Sequence, residues 1–151
     1  MTGNLDGRLN SAWWVLRIGL GAAAFLAGLD KFFNLLADWA GYLSPIATGV
    51  LPVSATVLMR VFGVVEMAVG LAILTRWTRL GSYVAALWLL AIAVNLVTTG
   101  RFFDIAVRDT EMAIAAYVQA RLTEVRAESS AVQPASTSHE LLGLGRPSRA
   151  A

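Results

Sequence analysis

The sequence predicts an all-α membrane protein in which four transmembrane helices form a bundle and both termini are cytoplasmic. Three observations predict this fold: the chain is unusually apolar, it contains long stretches with few charges, and its basic residues cluster on one side of those stretches. Of its 151 residues, 57% are hydrophobic and 15% are charged, whereas soluble domains carry about 25% charged residues. So few charges cannot cover a surface that faces water on every side, and lipid must replace much of that water.

The same composition excludes several classes of function. The 12 Lys and Arg residues exceed the 10 Asp and Glu residues by only two, which is too small an excess for a protein that neutralises nucleic-acid phosphates. The chain has no cysteine, so it offers no thiolate nucleophile and no sulfur ligand for a metal. Its single histidine, His139, lies in a segment rich in Ser. We therefore expect no nucleic-acid partner, no metal and no covalent cofactor.

Four stretches predict the membrane spans, namely residues 13–33, 54–74, 80–99 and 102–122. The third contains no charged residue over twenty positions, and a helix of that length covers about 30 Å, the thickness of the hydrocarbon core. The fourth is harder to place because it contains Asp104, Arg108, Asp109, Glu111 and Arg121. Two arrangements are open for this helix. The other helices shelter its charges, which the length of the stretch favours, or the helix lies flat in the membrane interface.

The basic residues outside the spans predict how the protein is oriented in the membrane. The N-terminal segment 1–12, the turn after the second span and the start of the tail carry Arg8, Arg76, Arg79, Arg121 and Arg126. The opposite side carries only Lys31 and Arg101, so the positive-inside rule places both termini in the cytoplasm. We expect the apolar connection 34–53 to cap the bundle or rest on the outer membrane surface. The tail, residues 123–151, is rich in Ser and is expected to be disordered and cytoplasmic.

Small residues predict where helices approach closely in lipid. They recur on the first two spans as Gly19, Ala23, Ala27, Ala24, Gly28, Gly63 and Gly70. The spacing of four residues in the first span and seven in the second keeps each row on one helix face. These residues predict a tight seam and no chemistry.

Ionisable groups within membrane spans are costly, so their positions indicate candidate functional sites. The main candidates for ligand binding or proton transfer are Lys31, Arg60, Glu66, Asp104, Arg108 and Asp109, and the secondary candidates are Arg17, Asp30, Asn95 and Glu111. Asp104, Arg108 and Glu111 share one helix face, so Arg108 can bridge two carboxylates. Asp109 points away from that face, and we expect it to pair with Arg60 from a facing helix.

The remaining candidates have different expected roles. Glu66 lies among apolar residues of the second span and is suited to proton transfer. Arg17 is expected to extend its guanidinium group to lipid headgroups, and Asn95 to hydrogen-bond within the charged region or to a neighbouring helix. Three interpretations of the charged set stay open: structural ion pairs that fix helix register, an outward-facing polar cavity that binds a small ligand or passes protons, or solvent exposure of a fourth helix that does not span.

Three segments of the chain resemble a known membrane family. They are Arg17-Ile-Gly-Leu-Gly with Phe25-Leu-Ala-Gly-Leu-Asp-Lys31, then Gly63-Val-Val-Glu66-Met-Ala-Val-Gly70-Leu, and finally Phe103-Asp104 followed by Arg108-Asp109. Together they resemble the DoxX/DoxD-like integral membrane proteins over about residues 13–122. The resemblance implies a multi-pass protein with four helices in the bacterial inner membrane.

The resemblance also implies a functional setting. Some family members are subunits of a thiosulfate:quinone oxidoreductase, and actinobacterial members are associated with a thiosulfate sulfurtransferase and a superoxide dismutase in thiol-stress defence. The residues carried over are Arg17, Lys31, Glu66, Asp104, Arg108 and Asp109. Because the chain has no cysteine, we do not expect it to oxidise a sulfur compound by itself; any enzymatic role belongs to a quinone-linked oxidoreductase complex.

The leading hypothesis is a subunit of a redox or oxidative-stress assembly that binds a quinone or another small ligand in the charged cavity. The first alternative is a small proton-coupled transporter that uses Glu66. The second is a membrane scaffold whose basic tail recruits a soluble enzyme. The expected partners are the lipid bilayer, a soluble sulfurtransferase or superoxide dismutase, and further copies of the chain in a homo-oligomer.

Overall fold

The computed structural model describes residues 2–50 and 53–143, and within them every regular element is helical. In chain order the elements are α1 (Thr2–Asp30), a short 3₁₀ helix (Trp39–Tyr42), α2 (Pro45–Val50), α3 (Ala55–Leu74), α4 (Thr78–Thr98) and α5 (Phe103–Gly143). The predicted all-α class is therefore confirmed. The second and third predicted spans agree with α3 and α4 to within two residues at each end.

Within the described residues, three helices are long and apolar enough to cross a membrane: Gly7–Asp30 within α1, Ala55–Leu74 and Thr78–Thr98. These helices indicate a membrane protein. Among the described residues, α5 is long enough but not apolar enough to be counted with these three, because charged residues recur from Asp104 to Glu128. The fourth predicted span is thus a helix, and its crossing of the membrane stays a prediction.

The four long helices pack in an up-and-down ring. Helix α1 packs mainly against α3, and α4 mainly against α5, while α3 with α4 and α1 with α5 complete the ring. We call the end where α1 stops and α4 leads into α5 the loop end. The opposite end, where α3 turns into α4 at residues 75–77, is called the basic end. In this ring α3 and α5 lie diagonally opposite each other. Charged side chains of these two helices are therefore not neighbours.

Glycines allow α1 and α3 to pack closely. A methyl group on Gly28 would lie 2.5 Å from the carbonyl oxygen of Gly63, and one on Gly70 would lie 2.7 Å from that of Gly21. Real methyl groups do not approach so closely, so only glycine fits this seam. A methyl group on Gly19 would meet nothing within 4 Å. The predicted seam is therefore correct for Gly28, Gly63 and Gly70, whereas Gly21 takes the place expected for Gly19.

The apolar core joins all four long helices. It consists of Leu20 from α1, Val69 and Ile73 from α3, Ala85 and Ala86 from α4, and Ala116 from α5. The small alanine side chains let α4 and α5 approach closely. Many large apolar side chains point outward instead, as Val15, Leu87 and Val94 do, which suits a surface that faces lipid.

Residues 39–44 of the connection between α1 and α3 fold against the ends of α3 and α4. Leu43 is buried against the start of α3. The side chain of Asn95 holds the same region, since its amide nitrogen donates to the carbonyl oxygen of Tyr42 at 2.8 Å and its oxygen accepts from the backbone N–H of Ser44 at 3.1 Å. Asn95 therefore fastens the connection to α4.

Helix α5 continues to Gly143, well beyond the boundary expected at residue 122. The expected boundary of the helix is therefore wrong, whereas the predicted disorder of the tail stays a prediction, and residues 144–151 lie outside the described part of the chain. Two physical effects explain the difference. Extending an existing helix adds a hydrogen bond for each residue without a new nucleus, and the segment after residue 122 contains Glu, Arg and Ala, which favour helix.

Candidate functional site

Two ionisable side chains form a buried ion pair in the half of the bundle nearer the loop end, which we call the loop half. Lys31 is the first residue after α1, and Glu66 lies near the middle of α3. The Lys31 Nζ atom lies 2.5 Å from Oε2 of Glu66, and the two side chains are only 6% and 8% exposed. Such a pair loses much hydration free energy on burial, and close contact with further hydrogen bonds must offset that loss.

The glycine seam makes room for this pair. Gly28 precedes Lys31 by three residues, and Gly63 precedes Glu66 by the same spacing. A methyl group on Gly28 would lie 2.9 Å from Cβ of Glu66, and one on Gly63 would lie 3.1 Å from Cβ of Lys31. Each glycine thus leaves space for the charged residue of the opposite helix, and close helix packing brings the two charges together.

Three aromatic side chains frame the pair. The Lys31 ammonium nitrogen lies 3.9 Å from the ring centroid of Trp39, a cation–π contact. The indole N–H of Trp88 donates to Oε1 of Glu66 at 3.3 Å. The ring of Phe62 packs edge-on against Trp88 with a centroid distance of 5.2 Å. Both carboxylate oxygens of Glu66 therefore have donors, and the ammonium group faces an aromatic ring.

The carboxylate of Asp30 fixes the position of Trp39. It is buried, and it accepts the indole N–H of Trp39 at 2.7 Å. It also accepts the backbone N–H groups of Leu35 and Leu36, both at 3.0 Å. Asp30 thus closes the turn after α1 and holds the Trp39 ring over the ammonium group of the ion pair. It acts as a positioning residue for the site.

The ion pairs predicted for the charges of α5 are not observed among the described residues. Among the described residues no ion pair joins Arg60 to Asp109, and Arg60, Asp104 and Glu111 are exposed. Asp109 is buried and pairs instead with its neighbour Arg108, whose Nη2 and Nε atoms lie 3.0 and 3.1 Å from Oδ1. The expectation was wrong because α3 and α5 lie diagonally in the ring. Arg108 pairs with Asp109 and, within the described part of the chain, does not bridge Asp104 and Glu111.

Arg17 and Asn95 have structural roles away from the ion pair. The Arg17 guanidinium group donates to the carbonyl oxygens of residues 73–75 at 3.0, 2.7 and 2.5 Å, and it lies about 5 Å from the rings of Trp13 and Trp14. The expectation that it extends to lipid headgroups was therefore wrong, because the unpaired carbonyl groups at the end of α3 are nearer acceptors. Asn95 fastens the connection, as described above.

Sequence reasoning named both members of the ion pair and missed their partnership. It also missed the aromatic side chains of Trp39, Trp88 and Phe62. A signal was present: Gly-x-x-Lys31 and Gly-x-x-Glu66 place a glycine at the same distance from a charge in two helices predicted to be antiparallel. The tryptophans gave no comparable signal, since they are common at membrane interfaces.

The site offers a small set of chemical actions. The ammonium group of Lys31 is a triple hydrogen-bond donor, and the indole N–H of Trp88 is another donor. Nζ of Lys31 and Oε2 of Glu66 lie 2.5 Å apart, so a proton donor and a proton acceptor stand side by side. The site can therefore polarise a carbonyl oxygen and move one proton. Among the described residues no group of three or more His, Asp or Glu side chains is arranged to hold a metal ion.

Comparisons with known proteins add no family to this description. No family model matches the chain, and neither curated proteins nor solved structures show a significant similarity to it. The resemblance to DoxX/DoxD-like proteins stays a prediction. What the chain does must therefore be inferred from the chemistry of the buried pair and its neighbours.

Proposed function

We propose that this chain is a DoxX-like subunit of a redox or thiol-stress assembly in the bacterial inner membrane, and that its buried ion pair binds a quinone or another small carbonyl compound. The observation that supports the proposal best is the contact of Lys31 with Glu66 between Trp39 and Trp88. Charges buried at the ends and centres of apolar helices are costly, and proteins retain them mostly where they bind ligands or move protons.

The residues of the site fit a quinone by their chemistry. A quinone has two carbonyl oxygens on a flat apolar ring, and Lys31 and Trp88 supply N–H donors beside aromatic side chains. Lys31 would hold a carbonyl oxygen, and Trp39 and Phe62 would contact the ring. When bound, the quinone would supply a carrier for two electrons and two protons.

The chain itself would contribute proton transfer and orientation. Glu66 and Lys31 would pass a proton to the ligand in a setting from which water is largely excluded. Asp30 keeps Trp39 in contact with the ammonium group, so the orientation of Lys31 depends on the turn after α1. The two electrons would come from oxidation of a sulfur substrate such as thiosulfate, as the family resemblance implies. The soluble sulfurtransferase or superoxide dismutase implied by the same resemblance would be a partner and not the electron donor.

We propose that α5 also crosses the membrane, so that both termini are cytoplasmic. Its buried face is made largely of small residues that pack closely in the bundle: Ala106, Ala113, Ala116 and Ala120. Its buried acid, Asp109, is paired, and large apolar side chains such as Val107 and Ile114 point outward. A reporter fused after Arg126 should report a cytoplasmic location, and a periplasmic signal would contradict four crossings.

Quinone titration of the purified protein tests the proposal. The wild-type chain should bind a short-chain ubiquinone or menaquinone analogue in detergent and quench the fluorescence of the neighbouring tryptophans. Glu66→Gln should lose this binding, because the carboxylate that orients Lys31 becomes neutral. Arg60→Gln is the matched control: Arg60 lies on the same helix but is exposed, so binding should be unchanged. Failure of the wild type to bind either quinone would contradict the proposal.

Proton-coupled transport is the second candidate function, and the burial of Glu66 in an apolar helix favours it. A transporter reconstituted in liposomes would show proton flux when its ligand is added. A redox subunit would show none. Loss of such flux in Glu66→Gln, with retention in Arg60→Gln, would favour transport over quinone binding.

The continuation of α5 to Gly143 favours recruitment of a soluble partner. From the level of Thr123, which is bonded to Trp13 of α1, twenty further residues extend the helix by about 30 Å. Truncation after Arg126 should leave the bundle folded and abolish co-purification of the partner. Unchanged co-purification would show that the partner binds elsewhere.

A further inference from the structure

The packed interface between α4 and α5 contains polar atoms that have no protein partner. Ser82 of α4 and Gln119 of α5 are both fully buried. In the described part of the chain, Oγ of Ser82 and both amide atoms of Gln119 are the buried side-chain atoms without a hydrogen bond. Native proteins pair nearly all buried polar groups, either with protein or with ordered water. These three atoms therefore need a partner that the chain does not supply.

The two residues lie at the same level of the bundle. Ala85 and Ala86 of α4 belong to one core cluster with Ala116 of α5. Ser82 lies one turn before these alanines of α4, and Gln119 lies one turn after Ala116. Because α4 and α5 run in opposite directions, both polar side chains lie on the basic-end side of the cluster.

The hydroxyl groups one helical turn away already make other hydrogen bonds. The hydroxyl of Thr78, one turn from Ser82, donates to backbone carbonyl oxygens at the end of α3. The hydroxyl of Thr123, one turn from Gln119, donates to the backbone carbonyl oxygen of Gln119 and accepts the indole N–H of Trp13. The Ser82 hydroxyl and the amide nitrogen and oxygen of Gln119 therefore remain without a hydrogen-bond partner among the described residues.

We infer that water occupies this position and links Ser82 to Gln119 inside the bundle. Gln119 needs one acceptor for its amide N–H groups and one donor for its carbonyl oxygen, and Ser82 needs either. Water supplies both kinds of partner. The buried polar side chains Ser82 and Gln119, and Thr78 and Thr123 one turn away, are uncharged, so a neutral molecule fits better than an ion. This water site lies apart from the buried ion pair and does not depend on the proposed function.

A crystal structure of the wild-type chain grown from lipid, at a resolution that shows ordered water, tests the inference. We expect density within hydrogen-bonding distance of Oγ of Ser82 and of the amide of Gln119. The inference is overturned if no density is present there, or if the Gln119 amide bonds directly to a protein group. Density for a larger neutral molecule would also overturn water as the occupant.

A mutant cycle provides an independent test. Ser82→Ala and Gln119→Leu each remove one partner of the shared water, so the double variant should lower the melting temperature no further than the more harmful single variant does. Ser82→Ala combined with Thr110→Val is the control, since Thr110 is exposed on α5 and bonds only to its own helix; those losses should add. Additive losses for Ser82 and Gln119 would contradict a shared water.

Discussion

The buried ion pair of the loop half and the charged cluster around Glu124 at the basic end use charge in opposite ways. At the loop half, Lys31 and Glu66 are almost completely buried and are paired with each other. At the basic end, Glu124 binds Arg79 at 2.9 Å and Arg121 at 2.6 Å, and both arginines are more than half exposed. The first arrangement loses hydration on folding, whereas the second keeps its charges in water or among headgroups.

This difference shows which charged residues are candidates for function. Two effects explain arginines at a helix end: they favour one orientation in a membrane, and they donate hydrogen bonds to terminal carbonyl groups. The half-buried Arg17 makes such bonds at the end of α3. Neither effect explains a buried pair that is framed by Trp39 and Trp88. The loop half therefore carries the functional hypothesis, and the basic end anchors the bundle.

The largest predicted effect comes from breaking the buried pair. Lys31→Met leaves the Glu66 carboxylate buried without its cation and should destabilise the protein by about 3–5 kcal/mol. Lys31→Met combined with Glu66→Leu removes both charges and should recover most of that loss. Thermal unfolding in detergent measures both. A double variant that is less stable than Lys31→Met would contradict this explanation.

The glycine seam gives the next largest effect. Gly63→Ala forces a methyl group against the backbone of Gly28, and the resulting overpacking should destabilise the protein by about 1–3 kcal/mol. It should also disturb the ion pair, because Cβ of Lys31 lies beside the new methyl group. Gly19→Ala is the matched control on α1 and should be neutral or slightly stabilising in the same unfolding assay. Equal effects of the two changes would refute the seam.

A smaller effect is expected at the basic end from Arg17→Gln. This change removes three hydrogen bonds to the end of α3. Because the site is partly exposed, water can replace some of them, and the loss should be about 1 kcal/mol. Hydrogen exchange should increase at residues 75–77 while the loop end stays protected. Increased exchange at the loop end would mean that the two ends are not independent.

The smallest effect is expected from Arg79→Gln. The pair of Arg79 with Glu124 is exposed on the arginine side, and such pairs contribute about 0–1 kcal/mol. The difference from wild type should also disappear at high salt, since screening weakens exposed pairs. A loss as large as that of Lys31→Met would remove the contrast between the two ends.

Much of the fold could be predicted from hydropathy and length. The limits of α3 and α4 follow from two apolar stretches, and Lys31 and Glu66 were identified because charges in such stretches are costly. The partner of each charge could not be predicted, since hydropathy does not show which helices are neighbours in the ring. Arg60 was assigned to Asp109 for this reason, although α3 and α5 lie diagonally.

Other parts of the site depend on side-chain geometry that a single sequence does not display. Trp39 contacts Lys31 only because Asp30 closes the turn after α1 through Leu35 and Leu36. Arg17 reaches the end of α3 because the glycine seam brings the helices together. The continuation of α5 beyond residue 122 was missed because Ser and Pro suggested disorder, whereas helix propagation favours continuation.

The most direct test of the central claim is quinone binding by the double variant Lys31→Met/Glu66→Leu, compared with wild type after both are shown to be folded. If the pair is functional, the variant should keep most of the wild-type melting temperature and lose quinone binding. If the pair only fixes the register of α1 and α3, the folded variant will bind quinone as the wild type does. That second result would contradict the assignment of the buried pair as the functional centre.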